Sequence, residues 1–391
     1  MSTVTVDSKL LTAQQEAIRE SCWGERLDLW QPRNAALWVW AAGVVAGLIL
    51  FINRIAAVPA VYTPAVIGGL VVWSLFLVPW IVFLRHKDRY APMPGLLAGV
   101  GFLWGGLAAT YAISISGNHA LTDIYAKAVS PEFAARWGLA LTAPFVEESA
   151  KACGIVLLIA LAPRLVRSAW DGLFLGAFVG LGFQAFESWQ YTFQGAAGNL
   201  GENQARTVVE YVLLRGVYTG LVSHALFSAL IGMGIVWLIG RPAEPRRPLR
   251  GILLIGSGVA GHFAMNAFTA LGLIAYYLAI VAIMIIAIAI IALILAERAA
   301  PAREREWMHD LMAPEVARGT IAEPELDALA GRYAHRRRYI RSARGRAGRK
   351  RARLVIRASL DLAEDIGRSG GRETPEVIDA RSEVKRVRAA Q

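Results

Sequence analysis

The sequence predicts an all-α fold, a polytopic membrane helix bundle of about eight transmembrane helices with a basic, partly helical cytoplasmic C-terminal tail. Three observations predict it. The 391-residue chain is 55% hydrophobic and only 18% charged, whereas a soluble domain carries about 25% charged residues. Its apolar residues are gathered in long runs, each sufficient to cross the hydrocarbon of a bilayer. Most of the formal charge of +11 lies after Leu295, in a segment that contains 22 Lys and Arg but only 15 Asp and Glu.

The apolar runs divide the chain into a polar N-terminal segment (1–33), a transmembrane domain (34–296) and the tail (297–391). Lys and Arg are most frequent in the N-terminal segment, in every second loop and in the tail. The positive-inside rule therefore places both termini in the cytoplasm of a multi-pass protein of the cell membrane. The predicted spans are 35–53, 61–84, 95–116, 135–162, 172–193, 211–240, 251–273 and 275–296.

The loops 117–134 and 194–210 are predicted to lie outside the cell. Both are long enough to fold over a site, and the alternative is a solvated connector. Two cysteines in the whole chain exclude a disulfide scaffold and a cysteine-rich zinc or iron–sulfur site. Four glycines of the fifth span are predicted to allow close helix packing rather than to form a phosphate loop; they are Gly172, Gly176, Gly180 and Gly182.

Polar and ionisable side chains occur inside four successive predicted spans, where each costs several kcal/mol on insertion scales. They are Glu147, Glu148 and Lys151 in the fourth span, Glu187 in the fifth, His224 in the sixth, and His262 with Asn266 in the seventh. At about 1.5 Å of rise per residue, the residues Glu147, Glu187, His224 and His262 lie in one layer, in the middle or outer half of the membrane. We therefore expect these side chains to converge on one pocket. Arg215, nearer the outer end of the sixth span, is expected to reach the surface or to pair locally.

Carboxylates and imidazoles in a protected pocket suit the hydrolysis of an amide. A glutamate can act as general base on water, or two histidines and a glutamate can hold zinc while another glutamate is the base. Glu147 is the preferred base or the first carboxylate to organise a metal. Lys151 is expected to orient or neutralise Glu147 or Glu148. Candidate metal ligands or oxyanion partners are Glu187, His224 and His262, with Asn266 as a further donor; HExxH and GxSxG motifs are absent.

Two of these groups resemble the motifs of a known family. Glu147–Lys151 (EESAK) matches the EExxK motif of the PrsW family of intramembrane proteases, and Phe183–Glu187 (FQAFE) matches its FxxxE motif. The later His224 and His262 fall where that family carries histidines, and His262 with Asn266 resembles the HxxxN pattern of the broader superfamily that includes CAAX prenyl proteases. The motifs occur in order over residues 135–273.

The resemblance implies a multi-spanning peptidase of the kind that cleaves anti-sigma factors at or near the membrane. It implies Glu147, Glu148 and His224 as the leading catalytic residues, with Glu187 and His262 completing the site. A zinc enzyme and a metal-independent glutamate protease both stay open. The expected partners are a membrane protein or peptide substrate and the lipid bilayer.

Two other function classes remain possible from the sequence. Buried charges can form the ion pathway of a membrane transporter, although no internal repeat supports one. A catalytically silent membrane scaffold can use them to bind a partner helix, and Glu147 with Lys151 can be an ion pair that only fixes packing.

The tail contains a strongly basic segment, 332–357, with twelve Lys and Arg and no Asp or Glu. Four apolar residues indicate that an amphipathic helix follows; they are Leu354, Ile356, Leu360 and Leu362. On the cytoplasmic face such a segment attracts anionic lipid headgroups. Nucleic acid is a less favoured partner because charge alone is weak evidence for it. The last twenty residues are expected to be disordered.

Overall fold

The computed structural model describes the chain as helices joined by short connections, and the described residues form no strand. This confirms the predicted all-α class. The residues described are 6–88, 92–220, 223–241, 244–270 and 302–389, with scattered positions between 280 and 294.

Fifteen helices are described here, numbered in chain order. They are α1 (Ser8–Ser21), α2 (Ala35–Ala56), α3 (Thr63–Lys87), α4 (Gly95–Leu103), α5 (Ile115–Ala128), α6 (Pro131–Leu161), α7 (Ala169–Gly198), α8 (Gln204–Tyr211), α9 (Ser223–Ile239), α10 (Pro248–Ala270), α11 (Ala302–Ala317), α12 (Glu323–Ala330), α13 (Tyr333–Ser342), α14 (Gly345–Arg368) and α15 (Pro375–Ala389). A π-helical segment, Trp104–Ser114, joins α4 to α5, and another, Val212–Tyr218, extends α8.

The chain divides into two compact units. The membrane unit comprises Leu27–Lys87 and Met93–Ala296, and it contains α2 to α10. The terminal unit combines the N-terminal segment up to Arg26 with the tail from Glu297 and a short stretch at Asp88–Pro92. The N-terminal segment therefore folds with the distant tail.

Within the described residues, five helical stretches are long and apolar enough to cross a membrane. The helix α6 is not among them, since Glu147, Glu148 and Lys151 lie in its middle, yet its 31 residues extend about 46 Å, well beyond a bilayer's hydrocarbon. The predicted eighth span, 275–296, lies mostly outside the described residues. The five stretches are Ala35–Ala56, Ala60–Lys87, Gly95–Ala128, Ala169–Gly198 and Gln204–Ile239.

The prediction of a loop at 117–134 is wrong, because α5 continues to Ala128 and α6 begins at Pro131. A local signal sets the new boundary. Ser130 Oγ accepts a hydrogen bond from the backbone amide of Phe133 at 3.1 Å, and Pro131 occupies the first helical position, where no amide hydrogen is needed. The helix α6 then runs unbroken through Pro144 as far as Leu161.

Close packing between α7 and α9 depends on glycine, as predicted. A Cβ atom on Gly176 would lie 2.0 Å from the carbonyl oxygen of Ser228, and one on Gly180 would lie 2.2 Å from that of His224. Only glycine permits backbones to approach so closely. This contact fixes the height of His224 against α7, the helix that carries Glu187.

The terminal unit has a hydrophobic core of its own, which includes Trp23, Met308, Ile356 and Leu362. Hydrogen bonds join α1 to the tail: the Gln14 side-chain amide donates to the Leu311 carbonyl at 2.7 Å. The Trp307 indole donates to Glu20 at 3.0 Å, and this bond is the main reason that the pKa of Glu20 is lowered from its ordinary value.

The predicted disorder of the last twenty residues is wrong. Residues Pro375–Ala389 form α15, and Val377 and Val384 lie fully buried in the core of the terminal unit. The buried side of α14 includes Ile356 and Leu362, as the amphipathic pattern predicts, whereas Leu354 is exposed.

Candidate functional site

Glu148 is the centre of a buried hydrogen-bond cluster built on α6. Its Oε1 atom accepts from the ammonium of Lys151 at 2.6 Å and contacts His262 Nδ1 at 2.7 Å. Lys151 Nζ also lies 3.1 Å from His224 Nδ1 and above the Phe183 ring, 4.3 Å from its centroid. The lysine is 0% exposed, and it pairs with Glu148 rather than with Glu147.

These contacts assign a hydrogen to each imidazole. A carboxylate only accepts, so His262 Nδ1 carries a hydrogen and donates it to Glu148. His262 Nε2 is then left as an acceptor, and it faces Glu147 Oε2 at 3.8 Å. An ammonium only donates, so His224 Nδ1 accepts from Lys151 and its Nε2 faces Glu187 Oε2 at 3.3 Å.

Glu187 on α7 forms an ion pair with Arg215 of the π-helical segment after α8. The Arg215 guanidinium also lies 4.0 Å from the centroid of the Tyr191 ring. From the sequence, this arginine was expected to reach the surface or to pair locally. The structure places it beside the predicted site, where it neutralises one of the three carboxylates.

Asn118 is a site residue that sequence reasoning missed. It lies on α5, in the segment predicted as a loop, and its side-chain amide donates to Glu147 Oε1 at 3.0 Å. No motif marks it in the sequence. A polar residue within the long helical stretch Gly95–Ala128 is the one signal that was available.

The structure brings six of the predicted site residues together, and the seventh, Asn266, does not join their hydrogen bonds. Asn266 lies one turn after His262 on α10, is half-buried, and forms no hydrogen bond with the other described residues. The six are Glu147, Glu148, Lys151, Glu187, His224 and His262.

Three of these residues could hold a metal ion. One ligand atom from each of Glu147, His224 and His262 lies within 4.8 Å of the others, and all three residues are buried. Glu147 Oε2 is also buried without a hydrogen-bond partner among the described residues, and buried polar atoms are rarely left so. Carboxylate oxygen and imidazole nitrogen are ligands that zinc accepts, so the donor set fits a metal such as zinc.

Comparison with known proteins assigns the chain to a family. Residues 92–294, about half of the chain, match the model of the PrsW family of intramembrane metalloproteases. The chain belongs to the PrsW family. No curated protein and no solved structure matches it.

The PrsW match agrees with the resemblance seen in the EESAK and FQAFE motifs. The matched residues include every side chain of the buried cluster, and also Asn118 and Arg215. As a member of an intramembrane protease family with long apolar helices, the chain is a multi-pass membrane protein and a peptidase. Its substrates are accordingly membrane-embedded proteins.

Proposed function

We propose that this PrsW-family chain hydrolyses peptide bonds of membrane-associated proteins at a zinc centre held by Glu147, His224 and His262. The observation that carries the proposal is the convergence of three buried ligand atoms, from α6, α9 and α10, within 4.8 Å of one another. When bound, zinc would activate a water molecule and polarise the scissile carbonyl.

The neighbouring side chains orient the two imidazoles. Glu148 accepts the hydrogen of His262 Nδ1 and so keeps the Nε2 lone pair directed toward Glu147. Such carboxylate–histidine pairs fix the tautomer and the ring angle of a metal ligand. Lys151 supports the His262 pair, because it donates to Glu148. Its contact with His224 Nδ1 belongs to the metal-free form, since a zinc-bound Nε2 would require the imidazole hydrogen on Nδ1.

Two carboxylates of the cluster, Glu147 on α6 and Glu187 on α7, are assigned different tasks. Glu147 belongs to the group of ligand atoms, whereas Glu187 is held by Arg215 and contacts His224 Nε2. We propose Glu147 as metal ligand and Glu187 as the base that takes a proton from water. The sequence left Glu147 as either the base or the first carboxylate to organise a metal, and it placed Glu187 among the candidate ligands or oxyanion partners.

Metal analysis of the purified protein tests both the centre and the assignment. Wild type is expected to bind zinc stoichiometrically, and His224→Ala, His262→Ala and Glu147→Gln are expected to lose it. Glu187→Gln is expected to keep zinc and lose at least 100-fold in peptidase activity. His119→Ala is the matched control, since His119 is exposed and lies outside the cluster.

Two outcomes would decide against parts of the proposal. An active wild type without metal would favour a glutamate protease. Loss of zinc in Glu187→Gln, with zinc kept in Glu147→Gln, would instead assign Glu187 as the metal ligand and Glu147 as the base.

We also propose that both termini lie in the cytoplasm of a cell-membrane protein and that the tail binds anionic lipid headgroups. The folding of α1 and the tail into one unit supports a shared side for the termini. The basic residues of α14 lie exposed on the side opposite its buried apolar residues. Each would add about 1 kcal/mol of attraction near an anionic surface. These exposed residues include Arg346, Arg349, Lys350, Arg353 and Arg357.

Hydrogen exchange of the full chain in nanodiscs tests the lipid proposal. Amides of α13 and α14 are expected to exchange more slowly in discs with phosphatidylglycerol than in discs of phosphatidylcholine alone. High salt is expected to remove the difference. Equal exchange in both discs would contradict it.

A further inference from the structure

We infer that Asn118 is a positioning residue of the metal centre, which fixes the Glu147 carboxylate so that Oε2 is presented to the metal. The inference rests on the proposed function and extends it to a residue outside the family motifs seen in the sequence. It is carried by three observations: the close approach of two helices, one hydrogen bond and a pair of unsatisfied acceptors.

Glycines bring α5 against α6 at the height of Glu147. A Cβ atom on Gly117 would lie 2.7 Å from Val146 Cγ1, and one on Gly138 would lie 2.8 Å from Thr122 Cγ2. Both distances are shorter than a normal carbon–carbon contact of about 3.5–4.0 Å. Gly117 directly precedes Asn118, and Val146 directly precedes Glu147. The helix contact therefore sets the two polar side chains beside each other.

The hydrogen bond divides the two oxygens of Glu147 between two tasks. Asn118 Nδ2 donates to Oε1 at 3.0 Å, whereas Oε2 has no hydrogen-bond partner among the described residues and lies 3.8 Å from His262 Nε2. The amide is neutral, so it orients the carboxylate without cancelling the charge that a metal ion needs. Partners of this kind are worth about 10–100-fold in metal affinity.

The other polar atom of the Asn118 side chain is an acceptor that the helix contact leaves unused. Its Oδ1 atom is also buried and has no hydrogen-bond partner among the described residues. A residue kept only for helix packing would leave this acceptor unsatisfied at a cost of about 1–3 kcal/mol. Asn118 and Glu147 bond each other, and each keeps one unsatisfied acceptor, Asn118 Oδ1 and Glu147 Oε2. This is expected where a polar group or an ion is to be bound.

Zinc affinity of the purified full-length protein, measured by competition with a chelator, tests the inference. Asn118→Leu removes the donor at similar volume and is expected to weaken zinc binding 10–100-fold. Asn118→Gln keeps an amide on a longer side chain and is expected to restore part of the loss. The control is Asn199→Leu, because Asn199 bonds Thr207 at the far end of α7, away from the cluster.

The thermal midpoint of the metal-free protein separates positioning from folding. Asn118→Leu is expected to leave it within a few degrees of wild type, because an apolar residue is tolerated at a helix contact. Wild-type zinc affinity in both Asn118 variants, with weakened affinity in Glu147→Gln, would overturn the inference and leave the metal centre intact. Wild-type affinity in Glu147→Gln as well would instead refute the proposed ligand set.

Discussion

Removal of only one partner of the buried ion pair between Lys151 and Glu148 is expected to destabilise the membrane unit strongly. The perturbation is Lys151→Met, which keeps the length of the side chain and removes its charge. It leaves Glu148 with His262 as its one remaining partner among the described residues and leaves His224 Nδ1 without a donor. The lysine is 0% exposed, so water cannot replace the lost contacts.

The magnitude follows from burial at both ends of the pair. Removing one partner of a buried ion pair costs about 3–5 kcal/mol, because the other charge stays in a medium of low dielectric. Glu148→Gln is expected to cost a similar amount for the same reason. The double variant replaces two charges with neutral groups and is expected to be close to wild type, so the coupling energy is about 3 kcal/mol or more.

Unfolding free energies from denaturant titration in mixed detergent micelles measure this double-mutant cycle. The control cycle uses Arg206 and Glu210, which form a 2.7 Å pair but are 76% and 50% exposed. An exposed pair of this kind contributes less than about 1 kcal/mol. If the Lys151 and Glu148 variants were additive, or each cost less than about 1 kcal/mol, the buried pair described above would be refuted.

Two further predictions concern the packing of α7 on α9 and the docking of α1. Gly180→Val is expected to destabilise the protein by at least about 1–3 kcal/mol and to reduce zinc binding. The reason is that a Cβ atom at position 180 would lie 2.2 Å from the carbonyl oxygen of His224. The control is Gly256→Ala, because no atom lies within 4 Å of the added Cβ. Glu20 has a pKa lowered chiefly by the Trp307 indole, so its stabilisation is present at neutral pH and is lost as pH falls below the ordinary glutamate value through the lowered one. Hydrogen exchange of α1 in Glu20→Gln is therefore expected to be faster than in wild type at pH 7, and the difference is expected to shrink as the pH falls through the lowered pKa; a constant difference would contradict this.

Hydropathy predicted the helices, and the positions of polar residues within the apolar runs predicted their common layer. Both signals depend on residues that are close together in the sequence. The observed α6 and α7 each lie within six residues of the predicted spans. The depth estimate placed His262 level with Glu147, and in the structure His262 Nε2 lies 3.8 Å from Glu147 Oε2. The sequence did not decide which glutamate pairs with Lys151, because Glu147 and Glu148 both lie within about one helical turn of it.

Asn118 could not be assigned from the sequence, because its role depends on where two helices touch. Gly117, Asn118 and His119 interrupt an apolar run, and such residues usually end a helix or begin a loop. Here the packing of α5 on α6 keeps them helical, which illustrates how tertiary contacts override local propensity. The same limit applies to Arg215, whose partner Glu187 lies on another helix.

The error at the C-terminus has a different physical origin. Residues 372–391 are rich in charge and contain few apolar residues, as disordered segments do. Their valines nevertheless recur at helical spacing, and Val377 and Val384 pack into a core completed by Trp23 and α1. Composition within a window cannot detect a core whose other part lies more than 300 residues earlier in the chain.

The charges of the buried cluster favour a metal ion over the purely structural interpretation of the same residues. Lys151 neutralises Glu148, and Arg215 neutralises Glu187. Glu147 remains, with no Lys or Arg within ion-pair distance among the described residues, and it is also the carboxylate of the group that could hold a metal. A buried carboxylate without a cationic partner is costly to keep ionised. A divalent cation held by Glu147, His224 and His262, as proposed above, would remove that cost.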